Sequence, residues 1–284
     1  MPHDQNWNPR AATRRLVDAA VGIISEYAAL GYRLTLRQVF YQLVARDLIE
    51  NTQKRYKSLG SALTRARWAG MLDMDAMDDV GRTATEWATF ADPQAALRRA
   101  ARGYTVDRWA DHPRVEVWAE KDAARSILLP VARRYQCAYQ STRGYASLSA
   151  LAAAADRNLD EDWTVVLVTD HDPSGLDLAR ALTETLDELA GWRCTVERVA
   201  ITREQIDHYA PPPNLTKPAD SRAEWYNREH GPHSWELDAL APDVLDRIVS
   251  DAVAALLPDD WDDRLSAEAA DRKRIWALAD NWAA

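Results

Sequence analysis

The 284-residue chain predicts an α/β protein: an N-terminal helical, winged-helix-like module, then a mostly parallel sheet flanked by helices, then a helical C-terminal end. Three observations carry this. Apolar residues recur at helical spacing through the first 70 positions. From Pro113 to Ile201, short β-branched runs alternate with helical stretches, the texture that builds parallel sheets. Charge is also divided. Residues 1–110 hold 16 Lys/Arg against 12 Asp/Glu, net +4, and the remainder 19 against 32, net −13.

In the N-terminal module (residues 1–81), Leu16, Ala20, Ile23, Ile24, Tyr27 and Leu30 mark a helix over 11–30 that ends at Gly31. Thr35 caps a second helix through about Arg46, with Leu36, Val39, Phe40, Leu43 and Val44 on its apolar stripe. A third runs from Gln53 to Ala69 and closes at Gly70. Three short helices with a basic last member fit a helix-turn-helix or winged-helix module. Within 33–67, eight basic side chains (Arg33, Arg37, Arg46, Lys54, Arg55, Lys57, Arg65, Arg67) face only Asp47 and Glu50. Such clustering suits a phosphate-contacting surface, despite the overall charge of −9.

Residues 82–112 read as a helical linker. Val115–Ala119 predicts a strand, 121–135 a helix distorted by Pro130, and 137–140 a short strand. A helix over 146–157, a strand over 164–169, a helix over 176–190 and a strand over 195–201 complete the alternation. Pro211-Pro-Pro213 marks an extended connection. The last stretch, 241–284, is helical, and no chemistry is assigned to it.

Composition excludes several classes. There is no eighteen-residue apolar run and no apolar leader behind a basic start, so neither a membrane partner nor a secretory signal is expected; the expected location is cytoplasmic, associated with the nucleoid. Cys137 and Cys194 lack the spacing of a zinc site or disulfide framework. No G-x-x-x-x-G-K-[ST] occurs, so no ATP site is expected in this chain.

The chemistry concentrates at Asp170-His-Asp172-Pro-Ser-Gly175, directly after the apolar run 164–169. Ligands collect outside the carboxyl ends of parallel strands. A second strand delivers Glu120 to that edge, with Lys121 beside it. Three carboxylates from two strands predict an all-oxygen site for a hard cation, Mg²⁺ with Mn²⁺ as the alternative. A lone Asp at a strand–helix junction is ordinarily a helix cap, and Asp172 alone fits that role. Gly175 allows close backbone approach at a helix start that favours anions.

A strand ending in Glu, followed by a strand ending in Asp-x-Asp-x-x-Gly, resembles the TOPRIM domain of topoisomerases, primases and some nucleases. Thr35-Leu-Arg37-Gln-Val-Phe-Tyr41 resembles the Thr-x-Arg-Asp-x-Tyr-Tyr segment of the topoisomerase VI A subunit and the meiotic double-strand-break transesterase. Trp235-Glu236-Leu-Asp238-Ala-Leu240 resembles a Glu-x-x-Ala-Leu segment late in that TOPRIM domain. The resemblance covers 34–72 and 114–240, and departs where Gln38 replaces Asp and Phe40 replaces the first tyrosine. It implies a winged-helix domain before a TOPRIM domain at 113–240. Tyr41 is then the nucleophile, Arg37 its helper, and Glu120, Asp170 and Asp172 the metal-binding acids. Arg33, Lys54, Arg55, Lys57, Arg65, Arg67 and Lys121 are the expected DNA contacts.

The resemblance implies double-stranded DNA as partner, a homodimer in which one protomer's tyrosine meets its partner's acids, and a separate ATPase subunit if strands are passed. Arg37 and Tyr41 share a helix face at i and i+4, where a guanidinium would favour the phenolate. Asp220, Ser221, Glu236 and Asp238 are supporting or structural, and Arg143-Gly144-Tyr145 is either a phosphate contact or a surface turn. Two other readings stay open: a hydrolytic TOPRIM endonuclease with Tyr41 structural, and a non-catalytic DNA-binding protein.

Overall fold

Three helices pack around one apolar core at the N-terminus of the computed structural model, which describes residues 7–78, 87–159, 161–215 and 222–282. They are α1 (Ala11–Ala29), α2 (Leu36–Ala45) and α3 (Gln53–Trp68). The start of α2 is set by a capping box. The Thr35 hydroxyl accepts from the Gln38 amide (3.3 Å), and the Gln38 side chain accepts from the Thr35 amide (2.8 Å). The residue that departs from the family pattern is thus occupied in holding the helix.

The three expected helices of the N-terminal module are present, and the described residues 7–78 contain no strand. Beyond α3, Leu72 and Met77 turn back into the helical core, and the Asp78 amide donates to the Leu34 carbonyl (3.0 Å).

The stretch expected as a linker holds α4 (Pro93–Gly103), capped by Asp92, which packs on the last helix of the chain, α11 (Trp261–Asp280). Behind α4 the Arg108 guanidinium grips Glu268 of α11 through two bonds of 2.9 and 3.0 Å, both side chains buried. Trp109 is buried against Trp261.

One sheet organises the second half. β1 (Arg114–Ala119), β2 (Ala138–Ser141), β3 (Trp163–Val168) and β4 (Cys194–Ala200) lie in the order β2-β1-β3-β4, all parallel. Alternate side chains turn to opposite faces. Val115, Val117 and Ala119 meet α5 (Arg125–Arg134) and α10 (Pro242–Ala254); Trp118, Val165 and Leu167 meet α6 (Leu148–Arg157) and α7 (Pro173–Ala190). Cover on both faces is why these strands read as apolar runs. Pro130 lies inside α5 without ending it, and a 3₁₀ turn (Asp122–Ala124) takes the place of that helix's first turn.

Three elements had no sequence expectation: α8 (Arg203–Tyr209), α9 (Ala223–His230), and a two-residue ladder of β5 (Asn214–Leu215) with β6 (His233–Ser234). The helical C-terminal end is two helices, α10 and α11, separated at Pro258.

The sheet's chain order reverses between β1 and β3, since β1 crosses to β2 on one side and β3 to β4 on the other. A crevice opens at the carboxyl ends of such a pair. Glu120 follows β1 and Asp170 follows β3, one on each side of it.

Removing the buried acid that fastens α11 should leave the Arg108 guanidinium uncompensated. Glu268→Ala is expected to lose about 3–5 kcal/mol of unfolding free energy, read by urea denaturation.

Candidate active site at the carboxyl edge of the sheet

The crevice widens into a cleft of about 820 Å³ between the sheet and the helical module. Glu120, Lys121, Asp170 and Asp172 line it from the sheet, Arg37, Tyr41 and Tyr56 from the helices, and Glu236 and Asp238 from the segment after β6. The predicted nucleophile, its arginine and the three predicted acids therefore share one cavity of one chain.

Asp170 is 2% exposed. Its Oδ1 accepts from the Leu237 amide (2.9 Å) and its Oδ2 from the Lys121 ammonium. The Asp170 amide in turn donates to Glu120 Oε2 (3.2 Å). Burial pushes the Asp170 carboxyl above the ordinary carboxylate range, against the opposing pull of Lys121. Burial, with the charges of Asp170 and Asp172 added, pushes Glu120 up to about 7. Gly175 makes this packing possible, because a Cβ there would lie 2.3 Å from the Asp170 carbonyl oxygen and 3.1 Å from Glu120 Oε2.

Asp172 points elsewhere. Its Oδ1 accepts from the Gly175 amide (2.7 Å) as the cap of α7. Among the described residues, no three acidic, histidine or cysteine side chains converge as a ready-made metal cage. The expected Glu120, Asp170 and Asp172 set shares the cleft without forming one, because Lys121 and the Leu237 amide take both oxygens of Asp170 and the cap takes one of Asp172. The donor chemistry nevertheless fits a hard dication: five carboxylates line the cleft against Lys121 and Arg37. Asp238 has no donor at all among the described residues, and burial, then the Asp170 charge, pushes it up to about 7.

Tyr41 is buried, and its hydroxyl accepts from Asn214 Nδ2 (2.9 Å). Burial and the Glu236 charge push it up to about 12. Arg37 pulls it down, as expected, but is outweighed, and its guanidinium is ion-paired with Glu236 and stacks over the Tyr56 ring at 5.6 Å. In this state Tyr41 is a protonated phenol. Phe40 beside it packs edge-on to both Tyr41 and Tyr56 (5.4 Å each).

Of the basic residues, Lys54, Arg55 and Lys57 stand exposed near the start of α3, adjoining the cleft-lining Gln53 and Tyr56; Arg55 reaches Glu50 at 3.6 Å. Arg65 and Arg67 lie about 15 Å further along that helix, with Arg65 stacked over Trp7 at 4.9 Å. Arg33 is tied to the 75–77 turn through backbone carbonyls. Arg143-Gly144-Tyr145 forms a turn with both Arg143 and Gly144 at positive φ; Arg143 pairs with Asp122 (2.7 Å) and Tyr145 bonds Asp177. Asp220 and Ser221 lie outside the described residues.

Sequence reasoning passed over Arg198. It rises from β4 beneath the acids, donates to Thr169 Oγ1 (2.8 Å) and the Asp170 carbonyl (3.4 Å), and is pushed down to about 10 by burial. An arginine inside a strand carries no motif, so its signal was only a charge where an apolar residue fits. His171 is similarly internal, bonded to the Tyr226 hydroxyl (2.7 Å) and bridged through its backbone to Trp235. No family model and no curated protein matches the chain.

Glu120 supplies a pH test. Its carboxyl titrates near 4.5 unfolded and about 7 folded, so the folded state holds the extra proton in between, and stability falls as pH rises through that window. Glu120→Gln should therefore exceed the wild type by about 1–3 kcal/mol at pH 8 and match it near pH 4.5, in urea titrations at both pH values.

Proposed function

We propose that this chain binds double-stranded DNA and cleaves it by tyrosine transesterification, as a relative of the topoisomerase VI A subunit. The observation that carries the reading is that Tyr41, Arg37 and the sheet-edge acids Glu120 and Asp170 line one cleft. The exposed Lys54, Arg55 and Lys57 at its rim supply positive charge for a phosphate backbone.

In the reaction, Tyr41 Oη attacks the scissile phosphorus, a 5′-phosphotyrosine bond forms, and the bond to the 3′-oxygen breaks. The phenol loses its proton, and the departing 3′-oxygen gains one. Glu236, within electrostatic reach of Tyr41, is the nearby carboxylate able to take the phenolic proton. Entry of a phosphate would compete with Glu236 for Arg37, freeing the guanidinium to hold the phosphate bidentately. Glu120 and Asp170 would hold Mg²⁺ or Mn²⁺, which when bound supplies Lewis-acid stabilisation of charge on the phosphate, while Asp172 is occupied as the cap of α7.

One observation favours hydrolysis by water instead: the Tyr41 hydroxyl is held by Asn214 and pushed up to about 12. Supercoiled plasmid incubated with the protein and Mg²⁺, then denatured with and without protease, separates the two. Transesterification predicts breaks that carry protein until proteolysis, reduced roughly a hundredfold or more in Tyr41→Phe and in Asp170→Ala. Protein-free breaks that survive Tyr41→Phe would establish hydrolysis, and binding without breaks would leave a DNA-binding protein.

The resemblance implies a homodimer with exchanged tyrosines, whereas here both halves of the centre line the cleft of one chain. We therefore place the centre within one protomer. Mixed Tyr41→Phe and Asp170→Ala subunits should recover no cleavage; recovery would assign the tyrosine to the partner. Strand passage would further require a separate ATPase subunit.

A further inference from the structure

Asp238 is 5% exposed and lines the cleft, yet among the described residues nothing donates to or pairs with its carboxylate. Its four acidic neighbours are each engaged. Glu236 holds Arg37, Glu120 accepts from the Asp170 amide, Asp170 accepts from Lys121 and the Leu237 amide, and Asp172 caps α7. A buried carboxylate without a donor is costly unless a cation or a proton neutralises it.

Its place is equally specific. The Leu237 amide, one residue before Asp238, donates to Asp170 Oδ1 (2.9 Å), so the backbone ties the two acids together. Lys121 marks where positive charge is favoured, since its ammonium meets Asp170, lies 3.9 Å from Glu236, and acts electrostatically on Asp238.

We propose that Asp238 is a direct ligand of a divalent cation in this cleft, drawn together with Glu120 and Asp170 into an all-oxygen set as the ion enters, since among the described residues the three do not converge by themselves, while Asp172 serves α7 as its cap. The inference rests on the cation reading of the cleft given above and adds a ligand outside the Asp-x-Asp motif. Lys121 is then the internal stand-in for the ion, and it withdraws from Asp170 when the ion enters.

The test is Mn²⁺ titration of the full chain at pH 8, with free Mn²⁺ read by electron paramagnetic resonance and melting followed alongside. The wild type should bind Mn²⁺ and melt higher with it. Asp238→Asn should bind roughly tenfold or more weakly, melt at or above the wild type without metal, and gain little on adding it. Asp172→Asn should stay within roughly threefold in affinity and melt close to the wild type without metal, since an asparagine Oδ1 still accepts from the Gly175 amide as the cap. Should Asp238→Asn not fold, Asp238→Ser makes the same comparison. Wild-type affinity in the Asp238 variant, a lower metal-free melting point there, or a loss confined to Asp172→Asn would overturn the inference alone. Absence of Mn²⁺ binding by the wild type would overturn the cation reading beneath it.

Discussion

A negative charge buried at Asp170 is the constraint on which the rest of the site depends. At 2% exposure it has no water to solvate it, so the chain must bring donors to it. Lys121 arrives from the end of β1, the Leu237 amide from the segment after β6, and Arg198 underpins the Asp170 carbonyl from β4. Gly175 is required because α7 starts against that same carbonyl. Four separate parts of the chain thus converge on one residue at the point where the sheet's order reverses.

That convergence also joins the two halves of the molecule. Trp235, Leu237 and Leu240 belong to the core under the sheet, whereas Ala239 packs into the core of the helical module. Between them Glu236 pairs with Arg37, and Asn214 on β5 holds Tyr41. The helix bearing the tyrosine is therefore positioned by the same short segment that donates to Asp170. In this arrangement the phenol and the acids are presented to one cavity while each is still restrained: Tyr41 protonated, Arg37 paired, Asp170 neutralised from within.

Much of this was legible in the sequence where local rules and tertiary packing agree. The central strands β1 and β3 stood out because cover on both faces makes them apolar, and Glu120 and Asp170 stood out because strand ends deliver side chains to a common edge. The Asx cap of Asp172 was equally local. What was not legible depends on partners distant in sequence. The return of Leu72 and Met77 to the helical core is a tertiary contact that no periodicity reveals. The docking of α4 on α11 and the diversion of Arg37 to Glu236 both arise from contacts across more than a hundred residues. The Arg37 case is instructive: its i, i+4 spacing to Tyr41 was right, but a carboxylate from another element outcompeted the phenol for it.

On the proposed function, the cleft is a cation-dependent phosphate centre in which Lys121 sits on Asp170 where the ion would bind. The most direct measurement is anomalous diffraction from crystals of the full chain soaked in Mn²⁺. The account predicts a single strong peak against the Asp170 carboxylate, facing Tyr41 across the cleft, with Lys121 turned away from Asp170. Absence of a peak in the cleft, with Lys121 still seated on Asp170, would contradict it.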